Sequence, residues 1–156
     1  MVDKSALGAE GKEFELAVER GKIREFATAT RSTNPAYFDT NPPIPPTFLT
    51  TAFFWEEYVD DANPWHLVDM SQERGMHAEQ EYRIVGEVPR AGDTLLCRSY
   101  IDEIYDKDSK SGGTLTFVVM VTEFRNESGE LVAEARLTGV EKQQAHGEDA
   151  ERGDDQ

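Results

Sequence analysis

The chain has 156 residues, the length of one domain with a core large enough to need no disulfide or metal. Asp plus Glu number 31 against 16 Lys plus Arg, and the formal charge of −15 argues against partners that are phosphate backbones or anionic lipid surfaces. At 38% hydrophobic and 10% aromatic residues, the chain is too apolar to be intrinsically disordered. Cys97 is the single cysteine, so an internal disulfide framework and a multi-cysteine zinc site are excluded. The first twenty residues hold no apolar run suited to a signal peptide, and no 18-residue apolar stretch occurs, so a cytoplasmic protein is expected.

In chain order, residues 1–10 are expected to form a flexible lead-in, 11–140 a single domain, and 141–156 a disordered acidic tail with six acids and two bases. Phe14 to Val18 alternates as a first strand. Ile23, Phe26 and Ala27 recur at helical spacing over 22–30, and Asn34-Pro35 closes that helix. Four prolines within Asn41 to Pro46 impose a stiff, extended entry to the next element. Thr47 can cap the stretch up to Val59, which is apolar on nearly every side and predicts a buried central helix. From residue 77 the period becomes two. Strands are predicted over 77–85, 94–103, 114–124 and 131–140, separated by turn residues and therefore consecutive and antiparallel. Val118 and Met120 alternate with Phe117, Val119 and Val121, the pattern of a strand covered on both faces. A strand, a helix, a wholly apolar helix and a four-strand meander describe an α+β hot-dog fold, a curved antiparallel sheet wrapped around one long buried helix. A generic α+β sandwich is the alternative.

Three segments, in order, resemble one family, the MaoC-like hot-dog hydratases and dehydratases that act on acyl thioesters. They are Ile23-Arg24-Glu25-Phe26-Ala27 with Thr33-Asn34-Pro35-Ala36-Tyr37-Phe38, then Ile44-Pro45-Pro46-Thr47-Phe48, then Met76-His77-Ala78-Glu79-Gln80-Glu81-Tyr82 with Pro89 to Leu95 following. The last pair is similar to the "HGEQ-E … RPGD-L" strand and turn of the N-terminal-type domains of that family. The resemblance spans roughly residues 8–140.

Catalytic members are expected to hold water with an Asp and a His in a D-x-N-P-x-H loop. Here Asn34-Pro35 stands, but Ser32 and Tyr37 occupy the Asp and His positions. Neither a serine hydroxyl nor a phenol titrates where a general base near neutrality is needed. The family's donor to the thioester oxygen is a backbone N–H at the start of the hot-dog helix, where this chain has Pro45-Pro46-Thr47, and proline has no N–H. The resemblance therefore implies a non-catalytic subunit of a (3R)-hydroxyacyl-thioester dehydratase. Its catalytic partner would be a MaoC-like hot-dog subunit carrying D-x-N-P-x-H, in a heterodimer or a dimer of heterodimers. Substrate would be an acyl-CoA or acyl-carrier-protein thioester, with no cofactor, since hydration is acid–base chemistry.

On this chain the resemblance implies Asn34, Tyr37, Pro46, Thr47, Phe48, Phe54 and Trp55 as substrate-binding residues, with the Phe53-Phe54-Trp55 cluster setting acyl depth. The plain readings stand beside these: Asn34 as a cap before proline, Tyr37 as a core aromatic. His77 and Glu79, as i and i+2 residues of one strand, are expected on one face. With Glu81 they form a stripe that is either an inward acid–base pair or a solvated, salt-bridged one. The inward reading gives a self-sufficient hydratase or thioesterase. A third reading is a non-catalytic acyl-CoA-binding or scaffolding protein. His66, His77 and His146 show no metal-ligand spacing, Cys97 reads as a small buried hydrophobe, and Gly112-Gly113 reads as hairpin-turn chemistry. Only Arg24, Arg31, Arg74, Arg83 and Arg90 are candidates to meet the phosphates of a carrier, so the partner is expected to bring positive charge.

Overall fold

Strict alternation sets the middle of the sheet. A computed structural model describes residues 1–110 and 112–143. In β3 (Thr94–Asp108), Leu95, Cys97, Ser99 and Ile101 are buried while Leu96 and Arg98 face out. β4 (Thr114–Arg125) and β5 (Leu131–Lys142) follow as antiparallel neighbours, with Cys97 opposite Phe124 and Phe124 opposite Ala133. The short β1 (Phe14–Ala17) pairs with the start of β3, and β2 (Gly75–Ile84) pairs with β5. The order is β1-β3-β4-β5-β2, five antiparallel strands.

That order departs from the expected four-strand meander. Only β3, β4 and β5 are consecutive neighbours; β2 lies at the far edge. The connector after β2 does not fold back as a hairpin because its backbone is tied elsewhere. Val85 and Gly86 N–H donate to the Val132 carbonyl (2.9 and 3.2 Å), and the Pro89 carbonyl accepts from Ile44 N–H (2.9 Å). The chain thus crosses the end of the sheet, held to the proline-rich segment, before entering β3.

One face of the sheet carries the core. α1 (Arg20–Ala29) lays Ile23 and Ala27, both fully buried, beside Leu16, Leu95 and Phe124. Phe26 meets Phe48 edge to face at 5.6 Å. A second cluster joins Val68, Ile101, Val118 and Met120 to Val2 and Ala6. Residues 1–10 are therefore not a loose lead-in. Their 3-10 turn (Lys4–Ala6) buries two apolar side chains, and Asp3 N–H and Gly8 N–H donate to Val68 and Ile101 carbonyls (2.8 and 2.9 Å). In β4, Val118 to Thr122 are buried without interruption, so both faces of that strand are covered as expected. Cys97 is buried among apolar side chains, and desolvation pushes its thiol well above the usual range.

The central helix differs from expectation. Phe48–Ala52 is a 3-10 helix, and α2 proper covers only Phe53–Glu56. Phe48, Leu49, Thr51 and Ala52 are buried, but Phe53, Phe54 and Tyr58 are 60%, 59% and 86% exposed. Thr47 makes no side-chain cap bond, and the paired β-branched Thr50-Thr51 disfavours a regular α-helical start. The fold is α+β with a two-piece helical segment where one long buried helix was expected. Glu141 and Lys142, assigned to the tail, are the last residues of β5, and Glu141 is 1% exposed. Residues 144–156 of that expected tail lie outside the described residues. Among the described residues no helix is long and apolar enough to cross a membrane.

Candidate functional site

Between the helical segment and the inner face of β4, β5 and β2 runs an apolar groove of about 380 Å³. Its floor is Met120, Leu137 and Gly139; its walls are Phe53, Trp65, Met70, Met76 and His77. Trp65 and Met70 reach it because a second 3-10 turn (Pro64–Val68) is set by Asn63, whose side-chain oxygen accepts from Trp65 N–H at 2.9 Å. The loop after that turn is fixed by the buried Glu141, which accepts from Ser71 N–H (2.7 Å) and from Arg74 (3.3 Å). Phe53 and Met76 of the lining are exposed, and the exposed Phe54 stands edge-on to Phe53, which together make an apolar rim. Beside the groove, β2 is paired only on its β5 side, and all but Gly75, Glu81 and Tyr82 of its residues are exposed.

His77 and Glu79 do not share a face. The register shifts between them, so His77 stands opposite Gly139 and Glu79 opposite Thr138, which are adjacent residues of β5. A β-bulge adds one residue at Ala78 and inverts everything after it. His77 lines the groove, and its Nε2 lies 2.9 Å from the Glu79 carbonyl oxygen, turned back along its own strand. The Glu79 carboxylate faces the opposite side, in a 170 Å³ cleft with Glu81, Glu103 and Arg136. The expected stripe is split, and no acid–base pair of these two residues exists.

The substrate-binding residues named from sequence are scattered. Asn34 caps the 3-10 turn Pro35–Phe38, accepting from Ala36 N–H at 3.0 Å. Tyr37 lines a separate 260 Å³ cleft with Arg20, Arg24, Phe38 and Asp39. Pro46 and Thr47 are exposed at the helical entry. Phe48 is fully buried and Trp55 packs against the same core. Phe54 sits on the rim, its ring edge-on to Phe53 at 5.8 Å. Of the aromatic cluster, Phe53 lines the groove. Glu56, further along α2, is partly buried, and desolvation raises its carboxyl above the usual range against an opposing hydrogen bond from Asn63. His66 is exposed, its Nδ1 2.7 Å from the Asn63 carbonyl oxygen.

Sequence reasoning missed Trp65, Met70, Met120, Leu137 and Gly139. One signal was available: Gly139 interrupts an otherwise β-favouring strand, which marks a close approach by another group.

A family model described as "FAS1-like, dehydratase domain region" matches residues 5–135. A UPF0336 protein of Streptomyces griseus subsp. griseus is 33% identical over 127 residues, covering 76% of this chain and 79% of that relative. Among solved structures, the C-terminally truncated HadBC (3R-hydroxyacyl-ACP dehydratase) complex of Mycobacterium tuberculosis superposes with a TM-score of 0.65 at 24% identity, covering 86% of this chain and 96% of that one. The ChsH1-ChsH2 complex of Mycobacterium tuberculosis gives 0.57 at 16% identity, over 88% of this chain and 98% of that one. These likenesses fix the fold as an α+β hot dog. With most of its folded length matched, the chain belongs to the FAS1-like dehydratase region family.

Proposed function

We propose that the chain is a non-catalytic subunit of a hetero-oligomeric (R)-specific enoyl-thioester hydratase / 3-hydroxyacyl-thioester dehydratase. It supplies one wall of the acyl tunnel, and a partner MaoC-like subunit carrying D-x-N-P-x-H supplies the Asp and His. The observation that carries this reading is β2: a ten-residue edge strand, open on one side, beside an apolar groove with an exposed rim. Unpaired edges and contiguous exposed apolar side chains are what a protein covers with a partner. A second hot dog added along β2 continues the sheet and roofs the groove, in a heterodimer or a dimer of heterodimers.

The chemistry of this chain's own groups supports the same division of labour. Where the resemblance places an Asp, the Ser32 hydroxyl accepts from Asn34 N–H at 3.3 Å and serves its own turn. Tyr37, where a His would stand, lies in the cleft by α1, away from the groove lining. At the helical entry the Phe48 N–H donates to the Pro45 carbonyl at 3.0 Å, so it is not free for a thioester oxygen. This chain holds the acyl chain and excludes water; proton transfer and oxyanion stabilisation fall to the partner.

Charge points the same way. Of five arginines available to meet carrier phosphates, Arg74 is bound to Glu141, Arg83 to Glu81, and Arg90 to the Asn41 carbonyl. With three of the five so committed and a net charge of −15, the chain is poorly equipped to receive CoA or an acyl carrier protein's phosphopantetheine alone, which favours a partner that brings positive charge. A reducing, cytoplasmic compartment suits the lone buried thiol.

His77→Ala separates this reading from a self-sufficient enzyme. In the assembled complex, kcat for crotonyl-CoA hydration should fall by less than about tenfold, any larger change falling on KM as for a wall residue, whereas loss of a general acid–base group costs about 10²–10⁴-fold. A loss of that size would return catalysis to this chain.

A further inference from the structure

We propose that Trp65 is the specificity-determining stop of the groove: its indole, laid on the bare backbone of Gly139, closes the inner end and fixes how long an acyl chain the groove accepts. The inference rests on the acyl-tunnel reading above and goes further, by naming what ends the tunnel.

Trp65 lies against β5 more closely than any side chain there would allow. A Cβ on Gly139 would stand 2.7 Å from both Cη2 and Cζ2 of Trp65 and 3.1 Å from Cε of Met70. The indole therefore rests on the α-carbon itself, a contact that only glycine permits at this position. A glycine inside a strand weakens the strand, so its presence here makes room for the ring. Pro64 at the start of the 3-10 turn and the Asn63 hydrogen bond to Trp65 N–H hold the backbone that carries the indole.

The surroundings give the ring its role. Behind it stands the second core cluster of Val2, Ala6, Val68, Ile101, Val118 and Met120, against which Trp65 packs. In front of it lies the open groove. Trp65 thus stands between core and groove together with Met70 and Met120, and it is the one ring among the three. Three of the other lining side chains, Met70, Met76 and Met120, are of a different kind: they are unbranched and re-pack readily around differently shaped ligands. A deformable lateral wall with a stiff, backbone-seated end tolerates variation in width and fixes length.

The test uses the full chain and saturated acyl N-acetylcysteamine thioesters from butanoyl to hexadecanoyl, which carry no nucleotide. Binding is followed by NMR of methionine methyl groups labelled with carbon-13. In wild type, affinity should rise about fourfold per added methylene while the chain is being buried. It should then stop rising at one length, where the tail meets the indole. In a Trp55→Phe background, where Trp65 is the sole tryptophan, thioesters brominated at the terminal carbon should quench its fluorescence most strongly at that same length. Trp65→Ala should move the limit to longer chains. Trp65→Phe, which keeps a ring and guards against a folding defect, should move it by less in the same direction. If the thioesters shift the Met76 and Met120 methyls but the limit is the same in wild type and both variants, the tunnel reading stands and the role given to Trp65 falls. If no thioester of any length shifts those methyls, the acyl reading of the groove falls, and this inference with it.

Discussion

Gly11→Ala is expected to cost about 3 kcal/mol, at the upper end of what overpacking a well-fitted site does. The cause is a crossing of two backbones rather than a turn. A Cβ on Gly11 would overlap the Ala62 carbonyl oxygen and stand 2.6 Å from its carbon and 3.2 Å from Pro64 Cδ. Neither strand of the crossing can retreat easily. Gly11 N–H donates to the Ser99 carbonyl (2.8 Å), Lys12 N–H donates to the Asp61 carbonyl (2.9 Å), and Ala62 is itself buried. Thermal melts followed by circular dichroism should show a fall of roughly 6–12 °C for a domain of this size. Gly21→Ala makes the same chemical change in α1 with nothing within 4 Å, and should be neutral or stabilise by about 0.5 kcal/mol. Equal melting temperatures for Gly11→Ala and wild type would mean that the two backbones do not cross as described.

Glu141→Ala is expected to cost a similar amount, for an electrostatic reason. Its carboxylate is 1% exposed and bonded to Ser71 N–H and the Arg74 guanidinium, whose Nε is already buried without a partner. Removing the carboxylate strands a buried amide and leaves a partly buried cation without an acceptor, a loss of about 3 kcal/mol. Glu141→Gln keeps the volume and an acceptor for Ser71, so about 1 kcal/mol should be lost. Urea titrations should show lower midpoints with an unchanged slope. A wild-type midpoint for Glu141→Ala would mean that the carboxylate does not hold the 70–75 loop. Because Met70, Ser71 and Gly75 line the groove, this buried ion pair is also what keeps the wall of the candidate site in place.

Most of the sheet was legible in the sequence because alternation is a local signal. Leu95, Cys97, Ser99 and Ile101 point inward in β3 as a period of two requires, and β4 is covered on both faces as its apolar run implies. What local pattern could not carry was anything set by partners distant in sequence. The placement of β2 beside β5 depends on hydrogen bonds from the 85–89 connector to Val132 and Ile44. The bulge at Ala78 has no marker of its own, yet that single extra residue separates His77 from Glu79 and removes the one acid–base pair the strand offered. One long central helix is expected from sequence because composition reports how apolar the segment is. It does not report that Thr47 caps nothing or that the segment winds as 3-10 through Ala52 before turning α-helical. The exposed Phe53, Phe54 and Tyr58 are the visible consequence: residues that read as core stand at the surface.

The candidate site was half legible for the same reason. The resemblance located the helical entry and β2, but the named aromatics divided between core (Phe48, with Trp55 and Tyr37 packed against it, Tyr37 also lining the α1 cleft) and rim (Phe54). The groove itself is made by Trp65, Met70 and Met120, side chains brought together only by the fold. Its lining is apolar apart from His77 and a few small polar groups, which suits a surface that holds an acyl chain while another subunit does the proton chemistry.

The most direct test of that division is the hydration rate of crotonyl-CoA by the purified chain alone and by the complex it forms in its own host. The subunit that copurifies is to be identified by mass spectrometry. The chain alone should not exceed the uncatalysed rate, and a complex containing a D-x-N-P-x-H hot-dog subunit should turn over at about 1–10³ s⁻¹. Turnover in that range by the chain alone would contradict the account.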